Sequence, residues 1–257
     1  MTSTTAQPRV ALVTGAAKRI GRSIALALAH EGWDIVVHYR ASLEEAQATV
    51  KDIQACGRRA VALQGDLADE TSVRALLPRA IEMLGPVRCV VNNASLFSYD
   101  CIDDFSSATL DAHMHANLAA PVLLAQALHA ATPETVQAVV INLLDQKLFN
   151  PNPDFLSYTL SKAALHSATT MLAQALAPKV RVVGLAPGIT LVSGDQTAEG
   201  FAKAHAQTPL GKSSTPDDIA RAVCFLAEAQ AVTGTTLIVD GGQHLLPSPR
   251  DIMFTTQ

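Results

Sequence analysis

A chain of 257 residues is the size of one large α/β domain or two small ones, and its 49% hydrophobic against 16% charged residues supply a sizeable buried core. A formal charge of −4 leaves no electrostatic footprint for nucleic acid or an anionic membrane surface. Cys56, Cys89, Cys101 and Cys224 are scattered with no Cys-x-x-Cys, which indicates neither a disulfide framework nor a zinc site. The first eight residues are polar, and no apolar run reaches the roughly 18 residues that span a bilayer. A soluble protein of a reducing compartment, the cytoplasm, is expected.

Residues 9–14 form a short apolar run stopped by Gly15, which reads as a buried strand. Residues 21–31 have helical periodicity and end at Gly32; residues 34–39 are a second strand, and 42–55 a helix closed by Gly57. Residues 60–64 are strand three, and Asp69 is placed to cap a helix running to about Leu84. Strand four covers 87–92, one long helix covers 110–129, and strand five covers 136–143. A helix carrying Tyr158 follows, with Ser157 well placed as its N-cap, then strand six at 180–186. Helices at 198–206 and 216–229 precede a last strand at 236–240. Strands alternate with helices throughout and are continuously apolar, which predicts a parallel sheet of about seven strands covered on both faces. The economical division is a flexible segment 1–8 and a single doubly wound (Rossmann) domain over 9–257.

The first turn, Thr14 to Gly21, joins strand one to its helix, with glycines where a backbone must approach a ligand. The helix N-terminus beyond it offers free amides and a positive dipole end to a pyrophosphate. The spacing does not match Gly-x-Gly-x-x-Gly, so an ordinary strand-to-helix turn fits as well. Charge narrows the choice. An NAD-binding unit places an acid at the end of strand two, whereas this chain reads His38-Tyr39-Arg40-Ala41-Ser42 there. Arg40, Ser42 and Arg19 suit a 2′-phosphate, so NADPH is expected over NADH; Arg40 as a merely solvated residue is the alternative. Asp66 is placed at the adenine edge, and Asn93 and Ala94 lie beside the same nucleotide.

Tyr158 and Lys162 are four apart on one helix face. A cation there is expected to lower the phenol pKa, as a proton-transfer tyrosine requires. The pair alone also fits a solvated helix face. His113 and His115, two apart without an acidic partner, point to no metal. Trp33 is read as packing, and Asp103-Asp104 as a solvated loop pair.

Taken together, the turn 14–21, Asp66, Asn92-Asn93-Ala94, Asn117, Tyr158-x-x-x-Lys162 and Pro187-Gly188 resemble the short-chain dehydrogenase/reductase family, in the family's order and over essentially the whole chain. The resemblance implies Tyr158 as general acid/base, Lys162 as its modulator and a nicotinamide-ribose ligand, and Asn117 as support for a proton-relaying water. It places cofactor contacts at Gly15, Lys18, Arg19, Ile20, Gly21, His38, Tyr39, Arg40, Ser42, Asp66, Leu67, Asn93, Ala94, Ser95, Tyr158, Lys162, Pro187, Gly188 and Ile189. Two departures stand out: Arg19 replaces a glycine of the first turn, and Asp145 replaces the family's catalytic serine. Both resemble the pteridine reductases, as do His38-Tyr39, the string Thr14 to Ser23, and Asn92 to Phe97, where that group keeps a serine near the phosphates and a phenylalanine under the pterin. Substrate contacts are then implied at Ser95, Phe97, Asp145, Tyr158 and Leu191.

An ionised Asp145 has no proton to donate to a carbonyl or alkoxide and opposes ionisation of Tyr158. It suits a reductase in which Tyr158 starts protonated and the substrate is a C=N heterocycle with amide and amino donors. An NADPH-dependent reduction of a dihydropterin (dihydrobiopterin, dihydromonapterin or dihydrofolate-like) is therefore expected. A ketone or 3-oxoacyl-thioester reductase and a non-catalytic NADPH sensor are the rival readings. The resemblance also implies a homotetramer, and the tail from Gln243 onwards is expected to shape substrate choice or close a neighbouring active site.

Overall fold

The computed structural model describes residues 9–192 and 197–255; the segment 1–8, expected to be flexible, lies outside them. The described residues form a seven-stranded parallel sheet in the order β3-β2-β1-β4-β5-β6-β7. The strands are β1 (Arg9–Val13), β2 (Trp33–Tyr39), β3 (Ala60–Gln64), β4 (Val87–Asn92), β5 (Ala138–Leu143), β6 (Val180–Pro187) and β7 (Thr236–Val239). Helices α1 (Arg19–His30), α2 (Leu43–Ala55), α3 (Glu70–Leu84), α4 (Ser107–Met114), α5 (Ala120–Ala131), α6 (Leu156–Leu176), α7 (Ala198–Ala206), α8 (Pro216–Glu228) and the short α9 (Ile252–Thr255) complete the fold.

Alternation along the strands builds two cores. Ala11, Val13, Ile35 and Val37 face α1, α2 and α8, packing on Ile24, Leu28, Ile53 and Val223. The intervening Val10, Leu12 and Val36 point the other way, onto Leu76 and Leu77 of α3 and Leu124 and Leu128 of α5. A strand buried on both faces is apolar at nearly every position, and its polar exceptions are hydrogen-bonded, as Asp34 and His38 of β2 are, which is why these segments read as near-continuous runs. Register is continuous from Arg9↔Trp33 to Val13↔Val37, so β2 runs two residues, His38 and Tyr39, past the end of β1. From β1 the chain winds outward to β3 and then returns to β4 on the other side. The strand order therefore reverses between β1 and β4, where a crevice opens at the carboxyl ends.

Three local features differ from the sequence reading. The helix expected over 110–129 starts at Ser107, capped by the Ser106 hydroxyl, and widens into a π-turn at His115–Ala119 before α5. Pro121 explains the break: without an N–H it cannot donate to the carbonyl of Asn117 one turn back. Ser157 is not the N-cap of α6. Phe155 occupies that position in the left-handed region (φ 54°), and Ser157 lies inside the first turn. The Asp100 carboxylate does the capping, accepting the Ser157 amide at 2.9 Å and its hydroxyl, while the Asp100 carbonyl accepts the Leu156 amide. Trp33 belongs to β2 itself, buried beneath the Arg9 guanidinium. Asp69 caps α3 as expected, accepting the amides of Thr71 and Ser72.

Candidate active site

The crevice is a cleft of about 1020 Å³ running along the carboxyl ends of the strands. Every residue expected to touch cofactor or substrate lines it, with Asn117 the exception among the expected catalytic residues.

At one end the first turn is drawn tight. Gly15 has φ +64°, and a Cβ on Gly21 would collide with the Gly15 carbonyl oxygen and stand 2.5 Å from Asn93 Nδ2. Gly21 admits no side chain, and one at Gly15 would be strained. Asn93 locks the turn, donating from Nδ2 to the Thr14 carbonyl at 2.8 Å while its amide donates to Thr14 Oγ1. His38 secures the other flank: the Gly15 amide donates to Nδ1 at 3.1 Å, so the ring proton sits on Nε2 and is given to the Gly65 carbonyl at 3.2 Å. Burial pushes the His38 pKa down to about 4, and the ring stays neutral. His38 thus lines the cleft as a brace between the first turn and the loop after β3.

Arg19 explains its own rarity. It begins α1 in the left-handed region at φ 55°, a conformation glycine adopts at no cost and a branched or long side chain does not. In exchange its guanidinium lies at the cleft, donating to the Val192 carbonyl at 3.0 Å. Arg19, Lys18 and Arg40 give this end positive charge, and no carboxylate follows β2 before Glu44. Amides at the N-terminus of a twelve-residue helix, close-packed glycines and flanking arginines are the donor set that a phosphorylated dinucleotide requires.

At the other end, Tyr158 Oη donates to Asp145 Oδ2 at 2.9 Å, and Asp145 Oδ1 accepts the Lys147 amide at 2.8 Å. Burial raises the Asp145 pKa against the hydrogen bonds that favour its anion, with Asp251 adding to the rise. Burial and the Asp145 charge hold the Tyr158 phenol well above its ordinary value. This reverses the expectation that a cation lowers it. Lys162 Nζ donates to the Leu143 carbonyl at 2.7 Å and lies 5.8 Å from the Tyr158 ring centre; burial brings its own pKa down to about 8. The phenol is therefore a proton donor at neutral pH, and the carboxylate beside it is an acceptor.

Asn117, projected by the π-turn, is buried and clasps the backbone of Leu96: Oδ1 accepts the Leu96 amide at 2.8 Å and Nδ2 donates to its carbonyl at 2.9 Å. Nδ2 also reaches Ser161 Oγ, and the Ser95 hydroxyl donates to Oδ1. Asn117 therefore acts on the cleft through the loop that carries Ser95 and Phe97. Phe97 stacks on Phe155 with ring centres 4.4 Å apart and meets Tyr158 edge-on at 4.7 Å, giving the cleft an aromatic wall. His113 is buried on Thr109 and Ser98, whereas His115 is exposed.

Lys147 and Phe155, which the sequence did not single out, also line the cleft, as do Asp251, Ile252 and Met253 of the tail that was expected to shape substrate choice. The tail folds onto the site of its own chain. Arg250 and the Asp251 amide both donate to the Asp154 carboxylate, and Asp251 pairs with Lys147 at 3.2 Å.

A family model described as Enoyl-(Acyl carrier protein) reductase matches residues 15–244. A Brucella canis protein described as FolM alternative dihydrofolate reductase 1, crystallised with NADP, is 41% identical and superposes with a TM-score of 0.90 over 96% of this chain and 98% of its own. An uncharacterized oxidoreductase of Methylorubrum extorquens is 36% identical over 91% of this chain and 97% of its own. The 3-oxoacyl-[acyl-carrier-protein] reductase FabG of Staphylococcus aureus is 32% identical over 91% of this chain and 98% of its own. With these matches, the cleft and its Tyr158 and Lys162 place the chain in the short-chain dehydrogenase/reductase family of oxidoreductases.

Proposed function

We propose that the protein is an NADPH-dependent reductase that converts a dihydropterin to its tetrahydro form. The observation that carries this reading is the 2.9 Å hydrogen bond from the Tyr158 hydroxyl to the Asp145 carboxylate at the buried end of the cleft. A serine in place of Asp145 would donate to a carbonyl oxygen; the carboxylate accepts, and a flat heterocycle rich in N–H groups supplies what it accepts from. Bound NADPH supplies the hydride. Tyr158, held protonated, gives the proton that the reduced C=N nitrogen takes up, and Asp145 aligns the phenol and receives the substrate's donors. Phe97 offers a ring face for stacking, and Lys162 sets positive charge beneath the site.

The Brucella canis relative, described as an alternative dihydrofolate reductase and crystallised with NADP, supports both the substrate class and the cofactor. Arg19, Arg40 and Ser42 along the cleft support the 2′-phosphate. The Staphylococcus aureus relative favours 3-oxoacyl-thioester reduction as the second reading. A homotetramer belongs to the same proposal, with α6 offering exposed Leu160 and Met171 as contact. No helix among the described residues is long and apolar enough to cross a membrane.

The test is NADPH oxidation with a 7,8-dihydropterin against a β-keto thioester. The dihydropterin is expected to show the larger kcat/KM by about 100-fold or more, the scale set by leaving a site's polar groups unpaired. Preference for the thioester would replace this proposal with the second reading.

A further inference from the structure

Lys147 is a buried ammonium that the reaction outlined above does not use. It stands two residues after Asp145, in the turn Gln146–Phe149, and only 3% of it is exposed. Its backbone amide already holds Asp145 Oδ1, whereas its ammonium points elsewhere, donating to the Asp154 carbonyl at 2.5 Å and to Asp251 Oδ2 at 3.2 Å. Asp251 comes from the far end of the chain and is fixed there from several sides. Its amide donates to Asp154 Oδ2 at 2.6 Å, its Oδ1 accepts the Met253 amide, and Arg250 beside it grips both oxygens of Asp154 at 2.8 and 3.0 Å. Phe254 packs on Tyr99 and Phe155, so the segment 250–254 is a strap laid across the mouth of the cleft.

We propose that Asp251 is a positioning residue for proton delivery: through it the C-terminal strap holds the Lys147 ammonium away from Asp145, leaving Asp145 to the Tyr158 hydroxyl. The proposal rests on Asp145 and Tyr158 being the proton-handling pair of the reductase proposed above. The charged and titratable groups acting on Asp145 are Tyr158 and Lys162 from α6, Lys147 from the turn that follows, and Asp251 from the strap. Removing the Asp251 charge acts twice in one direction. It deletes a negative neighbour of Asp145, and it frees a flexible lysine stem two residues away to pair with Asp145 instead. Both favour the anion, so the Asp145–Tyr158 pair gives up its proton at lower pH. Removing the Lys147 charge does the reverse, because Asp251 then repels unopposed.

The experiment is the pH dependence of kcat/KM for the reducible substrate at saturating NADPH, in the full-length protein and in Asp251→Asn and Lys147→Met. Reduction consumes a proton, so the rate falls on the alkaline side as the pair deprotonates. Asp251→Asn should move that limb to lower pH and Lys147→Met to higher pH, each by about half a unit or more. Shifts of the same sign, or an unmoved limb in folded variants that bind NADPH normally, overturn the proposal. If one variant does not fold, the sign of the other decides. The limb is followed with whichever substrate turns over: activity on the thioester alone sinks the pterin reading, whereas an unmoved limb sinks the role of Asp251.

Discussion

His38 ties the first turn to the loop after β3 at the cofactor end of the cleft: its Nδ1 takes the Gly15 amide, its carbonyl takes the Ala16 amide, and its Nε2–H reaches the Gly65 carbonyl. The ring must be neutral to accept from Gly15, and burial keeps it so by lowering its pKa to about 4. Between pH 6.5 and 4 the unfolded chain binds a proton at this histidine and the folded chain does not, so stability falls as pH drops through that window. The loss reaches about 3 kcal/mol at its lower edge, and nothing is lost above the unfolded value. Urea unfolding of His38→Gln should show a shallower decline over this range than the parent protein. Parallel declines would mean that other groups set the acid sensitivity. At the reactive end, the same reasoning separates two residues that the sequence had linked: Tyr158 is held protonated by burial and Asp145, and Lys162 is engaged by the Leu143 carbonyl.

Helix α6 is positioned from its first turn, and the residue that does so lies 57 positions before Ser157. Asp100, buried, satisfies the amides of Leu156 and Ser157, two donors that a helix start otherwise leaves open, and its carboxylate also takes the Ser157 hydroxyl. Asp100→Ala should cost about 2 kcal/mol in urea unfolding, more than an exposed cap because the freed donors remain buried. A change below about 0.5 kcal/mol would show that Phe155 and the packing of α6 hold the start unaided. The π-turn at His115–Ala119 is the second device of this kind: it turns Asn117 toward Leu96 and so fixes the loop bearing Ser95 and Phe97. The sequence carried a sign of this one in Pro121, yet helical periodicity runs through that position without a break.

Across the whole molecule, what could be read from the chain was whatever repeats locally. Strands buried on both faces are runs such as Val10 to Val13 and Val139 to Ile141, and the alternation with helices implies the parallel sheet. The cleft residues at strand ends follow from that topology, and Arg19 and Asp145 were visible as departures from a familiar pattern. Contacts between distant segments were not. Ser157 looked like a cap because Asp100 leaves no local trace, and the pairing of Lys147 with Asp251 spans 104 positions. The direction of the Tyr158 shift also depends on burial, which spacing along a helix does not reveal. In the function proposed, the carboxylate at position 145 directs this cleft to a C=N heterocycle, away from a carbonyl. The most direct measurement of this is the ratio of kcat/KM for a 7,8-dihydropterin to that for a β-keto thioester, in the parent protein and in Asp145→Ser. The ratio is expected to fall by about 100-fold or more in the serine variant, as a donor replaces the acceptor. An unchanged ratio would contradict it.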